Sequence, residues 1–219
     1  WMNIIIFGPP GAGKGTQSSC LVDKNKMYQL STGDLLRAEL KSKSSLSQKL
    51  KKIMDAGKLV SDNIINDLIE KKISEPSIKN NIIFDGFPRN IDQAKSLDFM
   101  LNKYDQKISL VINLKVDNSI LVKRISGRVS CSICKKPFNE FFDPPRDPAE
   151  CTAKECSNRD LIKRSDDNEN TVSNRLKIYE KSTLPLLTFY ETKGVVKNVD
   201  AMKTINEVTN EINGIINEL

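Results

Sequence analysis

Histidine is absent from all 219 residues of this chain. With it go imidazole as a general base, every Ser-His or Cys-His couple and every histidine metal ligand. Whatever chemistry the protein performs must run on carboxylates, amines, guanidiniums, hydroxyls and thiols. Long apolar runs are missing as well. Residues 3–7 are too few for the apolar segment of a secretory signal and lead straight into a glycine-rich stretch, and no run approaches the length that spans a membrane. The expectation is a soluble, cytoplasmic protein, with Met2 as the natural start and Trp1 set aside. Internal repeats and low-complexity linkers are also lacking, so one principal domain with a small excursion is expected at this length. Acid does not balance base: 34 Lys and Arg against 28 Asp and Glu give +6, which suits phosphate-bearing partners, nucleic acid among them. Much of the lysine, however, belongs to an ordinary solvated helix face, as with Lys41, Lys43, Lys49, Lys51 and Lys52 around Leu46, Leu50 and Ile53.

What is present is most legible at residues 3–16. Asn3-Ile-Ile-Ile-Phe7 reads as a buried strand, and Gly8-Pro-Pro-Gly11-Ala12-Gly13-Lys14-Gly15-Thr16 follows it directly. Glycines let the backbone curl so that successive N–H groups point at a polyphosphate. Lys14 adds a mobile charge, and the helix predicted after the loop turns its positive end toward the same anion. The general phosphate-loop pattern has Ser or Thr directly after the Lys, whereas here Gly15 intervenes before Thr16.

Beyond the loop, short β-rich runs at 28–30, 81–84, 108–114 and 195–199 alternate with amphipathic segments. That alternation predicts an α/β fold, a parallel sheet covered by helices on both faces. Ligands bind such sheets beyond the carboxyl ends of the strands, where the glycine loop and the segment starting at Asp85 both emerge. Two stretches break the pattern. Residues 31–60 carry helical periodicity and no strand, from the cap candidates Ser31, Thr32 and Asp34 to a turn at Ala56-Gly57. Residues 127–167 are rich in Cys, Pro, Asp and Lys. Pro137, Pro144, Pro145 and Pro148 rule out a long helix there, so a loop-built insert held by a staple is expected. Helical spacing resumes over 171–190, and 204–219 reads as a closing helix.

The cysteines supply a candidate staple. Cys131-Ser-Ile-Cys134 is followed, after sixteen residues, by Cys151 and Cys156. Four thiolates in a polar insert close a tetrahedral Zn²⁺ shell with no open position, so the reading is structural zinc; iron or reduced thiols are the alternatives, and a reducing cytosol disfavours disulfides. Cys20, on the helix after the glycine loop, reads as a small buried apolar side chain.

Residues 81–89, Asn-Ile-Ile-Phe-Asp85-Gly86-Phe-Pro-Arg89, form a strand ending in an acid, a turn and an arginine. Asp85 stands where a second-strand acid assists Mg²⁺, and Arg89 can fork onto a phosphate. Together with the glycine loop, Thr32-Gly-Asp-Leu-Leu-Arg37, Lys58-Leu59-Val60, Gly127-Arg128 and Arg164-Ser-Asp166-Asp167, these residues resemble the adenylate kinase family in its long-lid, zinc-stapled form, over essentially the whole chain from Met2. The resemblance implies a P-loop nucleoside monophosphate kinase-like fold, with a five-stranded parallel sheet flanked by helices. Its parts would be a core of residues 1–30, 61–126 and 168–219, a monophosphate-binding insert at 31–60 and a cysteine-rich lid at 127–167. It implies phosphoryl transfer from Mg-ATP to AMP, giving two ADP, by a monomer with no nucleic-acid or membrane partner. By the same likeness Gly11, Ala12, Gly13, Lys14, Gly15, Thr16, Arg124 and Arg128 would hold ATP. Thr32, Arg37, Lys58, Leu59, Val60, Gly86, Arg89 and Gln93 would hold AMP, with Arg164 and Arg175 reaching phosphates from the lid side as it closes. Lys14, Asp85, Arg89, Arg128, Arg164 and Arg175 would form the catalytic set. The departures lie in the lid, where the second cysteine pair is wider than usual and Phe138 stands in place of an expected Tyr.

Such a reaction needs no proton-abstracting side chain, because the attacking phosphate oxygen of AMP is already an anion; alignment and charge neutralisation carry the rate. The missing histidines therefore fit. Asp166 and Asp167 read equally as solvated acids or as groups that orient arginines and Mg²⁺. Two rival readings are a P-loop switch hydrolysing GTP or ATP, and a nucleic-acid-binding zinc ribbon. Asn102-Lys103-Tyr104-Asp105 matches a guanine-reading pattern but follows a helical run, and no Asp-x-x-Gly occurs. Phe138, Phe141 and Phe142 are candidates for base stacking, or more simply an apolar pad under a small lid.

Overall fold

In β1 (Asn3–Phe7) successive side chains point to opposite faces and both sets are buried: Ile4 and Ile6 go one way, Ile5 and Phe7 the other. A strand that is apolar on both faces needs cover on both, which a parallel sheet flanked by helices provides. The computed structural model of the chain, which describes residues 2–42, 45–56, 58–75, 78, 81–144 and 160–219, has this arrangement. The strands that follow are β2 (Tyr28–Ser31), β3 (Ile82–Asp85), β4 (Ile108–Lys115), β5 (Arg128–Cys131), β6 (Pro137–Asn139), β7 (Leu161–Ile162) and β8 (Val196–Asp200). Five of them form a parallel sheet in the order β2-β3-β1-β4-β8; β6-β5-β7 form a separate antiparallel sheet.

The helices are α1 (Lys14–Asn25), α2 (Thr32–Lys41), α3 (Ser45–Asp55), α4 (Asp62–Ile73), α5 (Ile91–Asn102), α6 (Asn118–Ser126), α7 (Glu169–Ile178), α8 (Leu186–Glu191) and α9 (Ile205–Asn217). On one face of the large sheet Ile4, Ile6, Ile83 and Ile112 pack with Leu21 of α1 and Val208 and Ile212 of α9. On the other, Ile5, Phe7, Phe84 and Val111 pack with Ile69 of α4, Leu97 and Leu101 of α5 and Leu186 of α8. Each such side chain contributes roughly 1.5–3 kcal/mol by leaving water. The closing helix α9 starts with a reciprocal capping box between Thr204 and Glu207.

Register sets the working edge. Ile6 pairs with Asp85, and Asp85 in turn with Ser31. The glycine loop after β1, the segment after β3 and the start of α2 therefore emerge side by side at the carboxyl ends of three adjacent strands. Ser31 caps α2 by accepting from the Asp34 amide at 3.3 Å. The predicted turn at Ala56-Gly57 reaches a residue, Gly57, outside those described, as do Lys43, Pro145, Pro148, Cys151 and Cys156. At the end of α3 the carbonyls of Asp55 and Ala56 accept from Thr171 Oγ1 at 2.9 Å and Asn174 Nδ2 at 2.7 Å, so side chains of α7 satisfy carbonyls that α3 leaves open.

Four expectations are corrected. Among the described residues the segment after Gly127 is not loop alone: β5 runs through the middle of a small sheet, with Val129, Cys131 and Phe138 buried together. Prolines exclude helix but not an edge strand, and Pro137 opens β6, where a missing N–H costs little. The helix expected over 171–190 is broken into α7, a π-helical turn at Tyr179–Thr183 and α8. Pro185 has no N–H to continue the ladder, and the Leu184 amide donates five residues back to Tyr179 at 2.8 Å. The aromatic pad shrinks to Phe138, for Phe141 and Phe142 are 60% and 50% exposed. Cys20, expected to be buried, is half-buried.

Candidate active site

The carboxyl edge of the sheet opens into a cleft of about 590 Å³. Its floor is the glycine loop. Gly8, Gly11 and Gly13 have φ of +150°, +85° and +95°, and a Cβ on Gly11 would lie 3.0 Å from Ile125 Cγ1 and 3.1 Å from the Leu121 carbonyl, so the curl depends on glycine for both conformation and space. Gly13 is the N-cap of α1 and brings no side chain to its first amides, which leaves them to an anion. Gly15 is different: an added Cβ would meet Asp85 Oδ2 at an ordinary 3.6 Å, so space alone does not demand glycine after the lysine.

Lys14 folds back on this loop, donating to the carbonyls of Gly8 at 2.8 Å and Pro9 at 2.9 Å. Although part of its surface faces the cleft, protein surrounds it closely. That burial lowers the amine from 10.5 to about 8, against the opposing pull of Asp85 and with further lowering from Arg89, Arg128 and Arg175.

Six arginines reach the same cleft from different elements: Arg37 from α2, Arg89 from the turn after β3, Arg124 from α6, Arg128 from β5, Arg164 from the segment after β7, and Arg175 from α7. Three are held by acids. Asp167, whose side chain is 2% exposed, takes Arg128 in a bidentate grip through Nε at 2.8 Å and through Nη2, and lies 3.7 Å from Arg175 Nη1; Asp166 pairs with Arg175 Nη2. These two acids, left open by the sequence, therefore orient arginines. Arg37 pairs with Asp34 at 2.6 Å. Arg124 donates to the Ala201 carbonyl at 2.9 Å and sits 5.8 Å from the Phe142 ring centroid, a cation–π pair at the cleft wall. Among the described residues no carboxylate pairs directly with Lys14, Arg89 or Arg164. Burial, with Arg128 and Arg37 nearby, lowers Arg164 to about 10, and burial with Arg175 and Arg37 nearby lowers Arg89. The crowding of like charge costs the fold energy and makes an anion among these groups favourable.

Arg89 is the most constrained of the set. Its Nε donates to the Gly86 carbonyl at 2.8 Å, its amide donates to Gln93 Oε1 at 2.7 Å, and its carbonyl accepts from Thr183 Oγ1 at 2.8 Å. Thr183 comes from the π-helical turn, which gives that irregularity a local purpose. Gly86, at φ +75°, is strained for any L side chain, and a Cβ would press at 3.2 Å on both Arg89 Nη2 and Thr32 Oγ1. Gln93 is 2% exposed and donates from Nε2 to Asp62 Oδ1 at 2.7 Å. Lys58, Leu59 and Val60 reach the cleft from the connection into α4, and Thr16, Ala12 and Asp85 from the floor. Asp85 accepts from Gln29 at 3.0 Å. Every residue the sequence put forward for nucleotide contact thus lines this one cleft. Asp62 and Thr183 were missed, and no pattern in the sequence points to them: one is an acid in the first turn of a helix, the other a threonine in a helical stretch.

The cysteine group is only partly described. Cys131 is buried on β5, the Ile133 amide points at its sulfur at 3.4 Å, and Cys134 packs against the same small core. Cys151 and Cys156 lie outside the described residues, and among those described no group of three His, Cys, Asp or Glu is placed to hold a metal. The guanine-reading pattern fares badly. Asn102 ends α5, Lys103 pairs with Glu70 at 2.6 Å, and neither lines the cleft. Among the described residues no helix is long and apolar enough to cross a membrane.

A family model described as adenylate kinase matches residues 6–195. Curated relatives carry the same name. The protein from Syntrophobacter fumaroxidans is 43% identical over 215 residues, covering 98% of this chain and 100% of its own length. That from Staphylococcus epidermidis is 41% identical over 218 residues, 100% of both. That from Methanothrix thermoacetophila is 39% identical over 217 residues, 99% of both.

Proposed function

The chain belongs to the adenylate kinase family and catalyses reversible phosphoryl transfer from ATP to AMP, giving two ADP, and from that premise we propose how its own side chains do so. The observation that carries the assignment is the meeting of Lys14 and six arginines from separate segments in one cleft. Two nucleotides bring about six negative charges, judged from their phosphates, and the cleft offers a comparable positive count. An AMP phosphate oxygen attacks the γ-phosphorus of ATP. The new O–P bond forms as the β–γ bridging bond breaks, and the bridging oxygen leaves with its electron pair on the ADP β-phosphate. No proton moves, in keeping with a chain that has no histidine.

Lys14 and the loop amides hold the β- and γ-phosphates, with Gly11, Ala12, Gly13, Gly15 and Thr16 shaping the cradle and Arg124 with Phe142 flanking the donor. Arg37 and Arg89 hold the AMP phosphate, near Thr32, Gly86, Gln93 and the 58–60 segment. Arg128, Arg164 and Arg175 neutralise the group in flight. Asp85, a carboxylate beside the loop, would be the oxygen donor for the Mg²⁺ of Mg-ATP, a hard cation that would add positive charge to the substrate. Closure of the 31–60 and 127–167 segments over the nucleotides keeps out water, the competing nucleophile. That one chain lines the cleft with all of these cations supports a monomer as the working unit. Purified protein given Mg²⁺, ATP and AMP is expected to form ADP stoichiometrically from both; release of inorganic phosphate alone would overturn the reading.

We further propose that Cys131, Cys134, Cys151 and Cys156 hold a structural Zn²⁺, which suits a cytoplasmic protein with reduced thiols. The amide-to-sulfur contact at Cys131 within a Cys-x2-Cys turn supports it, because such a contact stabilises a thiolate ligand. Cys131→Ser, or chelation, is expected to lower Tm by several degrees while leaving kcat at 25 °C within about threefold. Metal analysis finding no zinc in freshly purified protein would remove this part. Thr183→Val, which keeps volume but removes the donor to the Arg89 carbonyl, is expected to lower kcat about tenfold with little change in the KM for ATP; an equal loss in ATP affinity would place Thr183 elsewhere in the mechanism.

A further inference from the structure

We propose that Asp62 is a positioning residue that makes the acceptor site selective for a 6-aminopurine over a 6-oxopurine, by fixing which way round the Gln93 amide lies. The inference rests on the reading of Gln93 as the side chain that meets the base of AMP. A primary amide is pseudo-symmetric in shape but not in chemistry: one end donates, the other accepts. Turned one way it complements an edge with an amino donor beside a ring-nitrogen acceptor, as in adenine. Turned the other way it complements a carbonyl acceptor beside a ring N–H donor, as in hypoxanthine or guanine.

At Gln93 both ends are held. The Arg89 amide, which only donates, approaches Oε1 at 2.7 Å. The Asp62 carboxylate, which only accepts, takes Nε2 at 2.7 Å. A flip would set carbonyl oxygen against carboxylate and NH₂ against N–H, so each neighbour opposes it. Asp62 is itself fixed: Asn90 Nδ2 donates to both of its oxygens at 3.1 Å, while Asn90 Oδ1 caps α5 by accepting from the Gln93 amide at 2.8 Å. Its place in the first turn of α4 adds the favourable field of that helix end. These contacts leave Gln93 one N–H and one lone pair for a ligand in the cleft that it lines.

Asp62→Leu tests this. Its side chain is of similar length but removes the acceptor of Gln93 Nε2, so only the Arg89 amide still resists a flip. The ratio of kcat/KM for inosine monophosphate to that for AMP is expected to rise about tenfold or more, while donor-side KM for ATP stays put. Parallel losses for both acceptors with an unchanged ratio would mean that Asp62 is merely structural and would overturn the inference. Should that variant fail to fold, Asn90→Ser keeps the helix cap but releases Asp62, and a smaller shift of the ratio in the same direction is expected; no shift overturns the inference equally. Gln93→Ala separates the two levels. If it raises the KM for AMP while Asp62→Leu leaves the ratio alone, only the inference about Asp62 falls; if it leaves the KM for AMP untouched, the reading of Gln93 itself fails.

Discussion

Lys14→Ala is expected to lower kcat for ADP formation about a thousandfold with no loss of Tm. The amine sits at the cleft floor, held by two loop carbonyls and surrounded by protein, and no carboxylate among the described residues pairs with it. Its charge is therefore largely uncompensated until a polyphosphate arrives, and two loop carbonyls are the bonds the fold gains from it. Burial brings its pKa from 10.5 down to about 8. Between those values the unfolded chain binds a proton that the native chain does not, so native stability at this site rises with pH across that window, and the cost is fully present below about pH 8. Removing the amine removes the cost, and Tm at pH 7 is expected to hold or rise. The same shift fixes a pH profile: kcat/KM for ATP falls as pH rises through about 8, as the free enzyme loses this proton. Kinetics and a thermal melt of the one variant check both halves, and near-normal turnover would refute the assignment of the loop.

The second large effect is at Arg89. Arg89→Ala is expected to cost two to three orders of magnitude in kcat, roughly the value of one well-placed charged donor in a dry site. Arg89→Lys is expected to recover little of it, because an ammonium cannot keep the bond to the Gly86 carbonyl and still present a fork to a phosphate. Three restraints fix this residue through its own side chain and backbone, so on the proposed role the guanidinium would meet a phosphate with little entropy left to lose. Single-turnover rates with saturating AMP separate chemistry from binding; an effect confined to ATP affinity would put Arg89 on the wrong nucleotide.

Much of this site was legible before any coordinates. The glycine loop is readable because its function is performed by backbone, and backbone conformation at Gly8, Gly11 and Gly13 leaves a mark in residue type. Arg89 is readable because it follows a buried strand and a turn at fixed spacing. The β5–β6–β7 sheet was not, since prolines and cysteines in a short polar stretch signal only what the chain cannot do. The π-helical turn was hidden for a related reason: helical periodicity persists through it, and only Pro185 hints that the ladder breaks. Asp166 and Asp167 were ambiguous because an acid beside an arginine in sequence says nothing of which arginine it meets in space; Asp167 grips Arg128, thirty-nine positions away.

The amino-acid sequence by itself determined the class of chemistry and the folding plan: strands apolar on both faces demand helices on both sides, glycines mark the phosphate cradle, and a chain without imidazole suits a reaction that moves no proton. Those are local properties, carried by residue type and short spacing. Tertiary structure alone decided how the cations are aimed. It set Asp167 on Arg128, Thr183 on the Arg89 carbonyl and Asp62 on the Gln93 amide, because hydrogen-bond partners are chosen by distance across packed elements, and such distances leave no trace in the order of residues along the chain.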